Sequence, residues 1–155
     1  QERLSKESQI KAAFIYNFVI FTTWPDTYFS GPSDPFIIGI VGHDPFGSFI
    51  DELVKGETIQ NRPIRVKRFN GTENFKAHLV FISKTSTLPI KKILSGSEPM
   101  LTISDTENFT EAGGAIEFYT VDNKVKFEAN LKAIERSKAS LSSRLLRLAR
   151  ICCTD

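Results

Sequence analysis

Residues 10–25 read IKAAFIYNFVIFTTWP, a run too apolar for a helix with a broad solvent face and too short for a membrane span. Ile10, Phe14, Phe18 and Phe21 form one stripe at helical spacing, joined by Ala13 and Asn17. Ile15, Val19 and the ring of Tyr16 lie off that stripe, so a second side is also apolar. Such a helix must be covered on most sides, and the chain has two ways to do it. Phe14 and Phe18 are expected to pack on a sheet of the same chain. Tyr16, Ile15 and Val19 are the side that a second copy would cover. Trp24-Pro25 stops the run, because proline disfavours helical geometry in the residue before it.

The helix is expected over residues 4–23, with Ser5 or Ser8 as its N-cap. A Gly-, Pro-, Ser- and Asp-rich loop follows over 26–35, then an unbroken apolar run at 36–41, the pattern of a parallel strand buried on both faces. Asp44 and Pro45 read as the N-cap and first position of a second helix, whose face is Phe46, Phe49, Ile50, Leu53 and Val54 and whose stop is Gly56. The charged alternation at 64–69 suits a sheet edge, and 79–83 (LVFIS) suits its centre. A short helix at 88–94 and a strand at 100–104 come next, with Asp105 as cap of a brief turn that Gly113-Gly114 end. Residues 115–121 and 124–130 form a hairpin around Asp122-Asn123. The spacing of Leu131, Ile134, Leu141, Leu145 and Leu148, broken by Lys138, predicts one long helix over 131–151.

The order predicts an α/β, three-layer fold in a single domain over residues 1–155. Its sheet is largely parallel with an antiparallel hairpin at one edge, flanked by helices, with long helices at both termini. A length of 155 residues supports a sizeable core, and 41% hydrophobic with 25% charged residues is ordinary for a globular chain. A net charge of +2 gives no reason to expect nucleic acid. The charge is uneven: from Leu131 onward it is +4, consistent with a solvated basic helix face. The chain opens on Gln1, as an internal piece or a mature chain freed of its signal peptide would. Cys152 and Cys153 are adjacent, and neighbouring Cα atoms about 3.8 Å apart fall below the usual disulfide range, so free thiols or a bond to another chain are expected.

Chemistry alone names no activity. Ligands of such sheets sit beyond the carboxyl ends of the strands, which here carry His43, Asp44, Phe46, Ser83, Lys84 and Asp105. That set faintly resembles a receiver-domain acidic pocket, but Asp44 and Asp105 already have capping work. His43 lacks a nucleophile with a recognisable elbow, and His78, entering a strand, reads as a packed or partly exposed histidine. Two histidines and two adjacent cysteines lack zinc-ligand spacing, and GHDPFG is not a phosphate-binding loop. No catalytic residue, metal or cofactor is expected. Tyr16, Val19, Trp24, Tyr28 and Phe29, with Arg144 on the basic helix, are candidates for a partner or dimer surface. In KFEAN, Asn130 is a natural N-cap for the final helix, while Glu128 joins the candidates for the partner or dimer surface.

Several stretches occur together and in order: IKAAFIYNFVIFTTWP, IVGHDPFG, AHLVFIS, LTISD, GGAIEF, VKFEANLKA and LSSRLLRLA. Over nearly the whole chain this series resembles the YfiR family of bacterial periplasmic proteins. The resemblance implies an exported, non-enzymatic α/β protein that tends to dimerise. It also implies a regulator that binds the periplasmic part of an inner-membrane diguanylate cyclase, holds it inactive, and thereby lowers cyclic-di-GMP and biofilm formation. Neither nucleic acid nor membrane insertion is expected. A small-ligand sensor without a cyclase partner is the alternative. Ala77 stands where members often carry Cys, which argues against an internal redox-sensitive disulfide, and the FEIN-type motif appears as Phe127-Glu128-Ala129-Asn130.

Overall fold

A computed structural model describes residues 4–69, 76–84, 93–94 and 99–153. The Ser5 hydroxyl accepts the Ser8 amide at 3.1 Å and starts α1 (Lys6–Ile20). The helix buries Lys11, Ala12, Ile15, Phe18 and Val19, a stripe rotated toward the side expected to face a second copy. Ile15 and Val19 are wholly covered within the chain. That corrects the expectation of a seam through this helix. Phe14 and Phe18 do meet the sheet, through edge-on contacts with Phe127 at 5.7 and 5.0 Å.

The helix ends three residues earlier than the proline predicts. Thr22 and Thr23, β-branched and suited to extended backbone, form β1 (Thr22–Thr23). The Trp24 indole then donates to the Val19 carbonyl at 2.9 Å, satisfying an acceptor at the end of α1. A 3-10 turn (Asp26–Tyr28) leads into β2 (Phe36–Val41), which is buried along its whole length. Asp44 accepts the Phe46 amide at 2.8 Å and so stabilises a turn, while α2 (Ser48–Val54) starts later than Asp44 and Pro45 suggest. Next, β3 (Thr58–Ile59) and β4 (Arg62–Phe69) form a hairpin about Gln60 and Asn61, both at positive φ.

Then come β5 (Leu79–Ile82), β6 (Leu101–Ser104), β7 (Ile116–Val121) and β8 (Lys124–Asn130). Asp122 and Asn123 sit at φ 51° and 63°, the geometry of a tight hairpin turn, so β7 and β8 pair as expected. The short helix expected at 88–94 lies largely outside the described residues. Residues 131–151 are not one helix. They form α3 (Leu131–Ser137), β9 (Ser140–Leu141), α4 (Ser143–Leu146) and β10 (Arg150–Cys152). The Ser137 hydroxyl bonds back to Ile134 and forward to Ala139, and Lys138 turns left-handed at φ 71°. Ser140–Leu141 then pair with β1, and Ser142 caps the next helix. Local hydrogen bonding by serine thus overrides the leucine periodicity.

The main sheet runs β10-β8-β7-β6-β5-β2-β4-β3, parallel except for the β7–β8 and β3–β4 pairs. One face packs α1 and α2 over Ile38, Ile40, Leu79, Phe81 and Ile103. The other carries a smaller cluster of Ile37, Val41, Val80, Ile82, Ile93 and Phe109. Cys152 and Cys153 are bonded to each other, where free thiols or a bond to another chain were expected, with the chain turning at Cys153 (φ 61°). Among the described residues, no helix is long and apolar enough to cross a membrane.

Candidate functional site

Among the described residues, a cleft at the carboxyl ends of the strands takes in His43, Asp44 and Phe46 of the expected set. His43 is exposed, and with Asp44 and Phe46 it lines an open cleft of about 620 Å³ between the starts of α1 and α2. Phe46 itself is buried, with its ring 5.1 Å from Phe81. Asp44 is committed to Arg68 at 2.9 Å, and Arg68 also holds Asp51 at 2.6 Å and the Gly47 carbonyl at 2.7 Å. These carboxylates, Asp51 foremost, hold the Arg68 guanidinium above its ordinary pKa. Ser83, Lys84 and Asp105 do not line this cleft.

Asp105 is a tie and not the cap expected. Its Oδ1 accepts the Lys84 amide at 2.9 Å, and its Oδ2 meets Lys11 Nζ at 3.1 Å. Lys11, buried on α1, also holds Glu7 at 3.0 Å, and that hydrogen bond keeps the Glu7 carboxyl below the usual range. Ser83 is buried and the Lys84 residue is exposed. The protein's own helix therefore places a cation where sheets of this kind receive ligands.

Of the residues expected on a partner surface, Val19, Trp24 and Tyr28 are core residues at 0%, 2% and 7% exposure. Their chemistry explains it. Gln60 accepts the Trp24 amide and donates to its carbonyl, and the Tyr28 hydroxyl donates to the Ser137 carbonyl at 2.7 Å. Burial pushes the Tyr28 phenol up to about 12. Tyr16 is half-buried and donates to Glu57 at 2.9 Å; burial and that bond raise its pKa. Phe29 is half-buried beneath Arg62, which lies 3.6 Å from its ring centre. Arg144 is exposed, 5.4 Å from the Phe21 ring.

Glu128 belongs to a polar node that the sequence reading did not assemble. It pairs in register with Glu117 on the β7–β8 hairpin, so two carboxylates lie on one face. The loop at 108–110 separates them. The Asn108 and Thr110 amides donate to Glu117 at 3.2 and 3.1 Å, and the Thr110 hydroxyl reaches both Glu117 and Glu128. Asn130 donates to the Thr110 carbonyl at 2.9 Å and caps α3 by accepting the Ala133 amide. Beyond Glu128, Arg150 of β10 donates from Nε at 2.6 Å and lies 4.0 Å above the Tyr119 ring, and Glu128 raises its pKa. Cys153 Sγ approaches the Thr110 carbonyl at 3.8 Å.

Each acceptor in the node has a donor, so it offers a way to hold the terminal strand on β8 and not an open reaction centre. The signal for it was present. A turn at Asp122-Asn123 fixes the register, and counting back along both strands sets Glu117 opposite Glu128. Among the described residues, no group of three or more His, Cys, Asp or Glu is placed to hold a metal ion. The model of one protein family, described as YfiR/HmsC-like, matches residues 8–150. No curated protein matches the chain.

Proposed function

The chain belongs to the YfiR/HmsC-like family, and from that premise we propose that it is a non-enzymatic periplasmic regulator of cyclic-di-GMP signalling. In this reading it binds the exported part of an inner-membrane signalling protein, a diguanylate cyclase, and restrains it. The family match over residues 8–150 carries the reading. A bonded Cys152–Cys153 pair suits an oxidising compartment such as the periplasm. With Val19, Trp24 and Tyr28 committed to the core, the partner surface in this reading moves to the sheet edge at β10. There Ile151 (42%) and Leu148 (63%) are exposed beside the Glu128–Arg150 node.

The test is deletion of the gene with measurement of cyclic-di-GMP, alongside capture of inner-membrane proteins on the tagged chain. Raised cyclic-di-GMP and enrichment of a cyclase support the reading. Unchanged cyclic-di-GMP with no signalling protein enriched overturns it. The cleft by His43, Asp44 and Phe46 favours a second reading, a small-ligand sensor. A metabolite that raises the melting temperature of the wild type but not of a Phe46→Ala protein supports that one.

A further inference from the structure

His78 stands at the amino end of β5, at the opposite end of the sheet from the cleft. It holds both backbone groups of Ile37: its amide donates to the Ile37 carbonyl at 2.9 Å, and its Nδ1 accepts the Ile37 amide at 2.9 Å. Nδ1 accepts only while unprotonated, so the ring hydrogen sits on Nε2, and the ring itself stacks on Tyr28. One imidazole thus joins β5, β2 and the loop between α1 and β2.

The ring is packed among aromatics, 4.5 Å from Phe29, 5.2 Å from Phe36 and stacked at 6.1 Å on Tyr28. The charged groups around it are mostly positive. Arg62 of β4 bonds the Gly31 and Asp34 carbonyls at 2.8 Å each, and Lys67 and Lys76 line the same small cleft as the ring. Asp34 is the acid on that side, and its carboxylate already takes the Ser30 and Gly31 amides. Tyr28 is the remaining titratable neighbour, tied through its hydroxyl to α3.

We propose that His78 is a proton-operated latch for the Asp26–Pro35 loop. A second proton on the ring converts Nδ1 from acceptor to donor, facing the donor N–H of Ile37. Two donors cannot share that 2.9 Å contact. The ring must swing away or the β2 entry must move, and either change uncouples Tyr28 and Phe29 from the sheet and bares aromatic surface. Burial above all, then the field of Arg62, lowers the ring's pKa from its ordinary value of 6.5, against the Tyr28 backbone and Asp34. The latch is therefore closed above that value and opens as pH falls through the folded pKa.

Hydrogen exchange at pH 7.5 and 5.0, corrected for intrinsic rates, tests this on the wild type and on His78→Asn, whose side-chain oxygen keeps an acceptor near Nδ1 but does not titrate. The wild type is expected to lose at least tenfold protection at the Phe29 and Ile37 amides at the lower pH, with His78→Asn nearly flat and a His43→Asn control behaving as wild type. Equal protection at both pH values overturns the proposal, as does the same loss in His78→Asn. If that variant fails to fold, the imidazole shifts of wild-type His78 decide. Titration in step with the Ile37 amide supports the latch, and titration with the Ile37 amide unmoved overturns it.

Discussion

Lys11 Nζ lies 3.1 Å from Asp105 Oδ2, joining α1 to the end of β6, and the two side chains are only 8% and 10% exposed. The apolarity of residues 10–25 drives this helix onto the sheet, and Lys11 is drawn in with it. A buried ammonium needs a partner, and Asp105 supplies one while also taking the Lys84 amide. Structural pairing thus takes both oxygens of the Asp105 carboxylate.

Removing one member should therefore cost far more than removing the exposed neighbour. Lys11→Ala is expected to lose about 3 kcal/mol, because it leaves Asp105 buried and uncompensated. Glu7→Gln should lose under about 1 kcal/mol, since Glu7 is half exposed and screened. Lys11→Met combined with Asp105→Asn, which keeps an acceptor for Lys84, should recover most of the loss. Urea midpoints give all three values. Equal costs for Lys11→Ala and Glu7→Gln would contradict the buried pair.

Tyr28 gives a prediction at alkaline pH. Its folded pKa of about 12 exceeds the ordinary value near 10, so the unfolded chain loses this proton first as pH rises. Its contribution to stability is complete below pH 10 and is lost progressively toward pH 12. In an absorbance titration Tyr28 should ionise only toward pH 12. Tyr28→Phe should cost about 1 kcal/mol at neutral pH by orphaning the Ser137 carbonyl, and should flatten the alkaline decline.

The parts of this fold legible in the sequence are those where one local signal acts unopposed. FIIGIV could only be a doubly covered strand, and Asp122-Asn123 could only be a tight turn. The 131–151 stretch failed because leucine spacing competed with Ser137, Ser140 and Ser142, whose hydroxyls and pairing favour breaks. Trp24 and Tyr28 look like surface anchors in a Pro- and Gly-rich loop. Their burial depends on Gln60 and Ser137, far away in sequence, which no local pattern shows. The Glu117–Glu128 pairing lay within reach because it follows from the hairpin register. Arg150 did not, because its place depends on β10 returning to β8.

Gly114 offers a sharp packing test. A Cβ there would fall 2.1 Å from the buried Phe109 ring, whereas at Gly31 it would meet nothing within 4 Å. Gly114→Ala should cost at least about 1–3 kcal/mol, the range for overpacking, and Gly31→Ala should be near neutral. Adding Phe109→Leu should relieve part of the Gly114→Ala cost, because removing the ring makes the room. Thermal or urea unfolding of the single and double variants separates this from loss of backbone freedom, which Phe109→Leu would leave untouched.

The last prediction concerns the terminal strand. β10 pairs with β8 over only three residues, Arg150–Cys152, so its docking depends on side chains as much as on the ladder. Glu128→Gln keeps an acceptor for Thr110 or Arg150 but removes the charge, and should lose on the order of 1.5 kcal/mol of docking. Exchange should then accelerate about tenfold at the 150–152 amides while those of β5 and β6 stay protected. Arg150→Gln should reproduce the local effect with less change in overall stability, since Arg150 is 55% exposed and Glu128 only 12%. If Glu128→Gln leaves the terminal amides as protected as in the wild type, the strand is held by its ladder and disulfide turn alone, and the Glu128–Arg150 pair has no latching role.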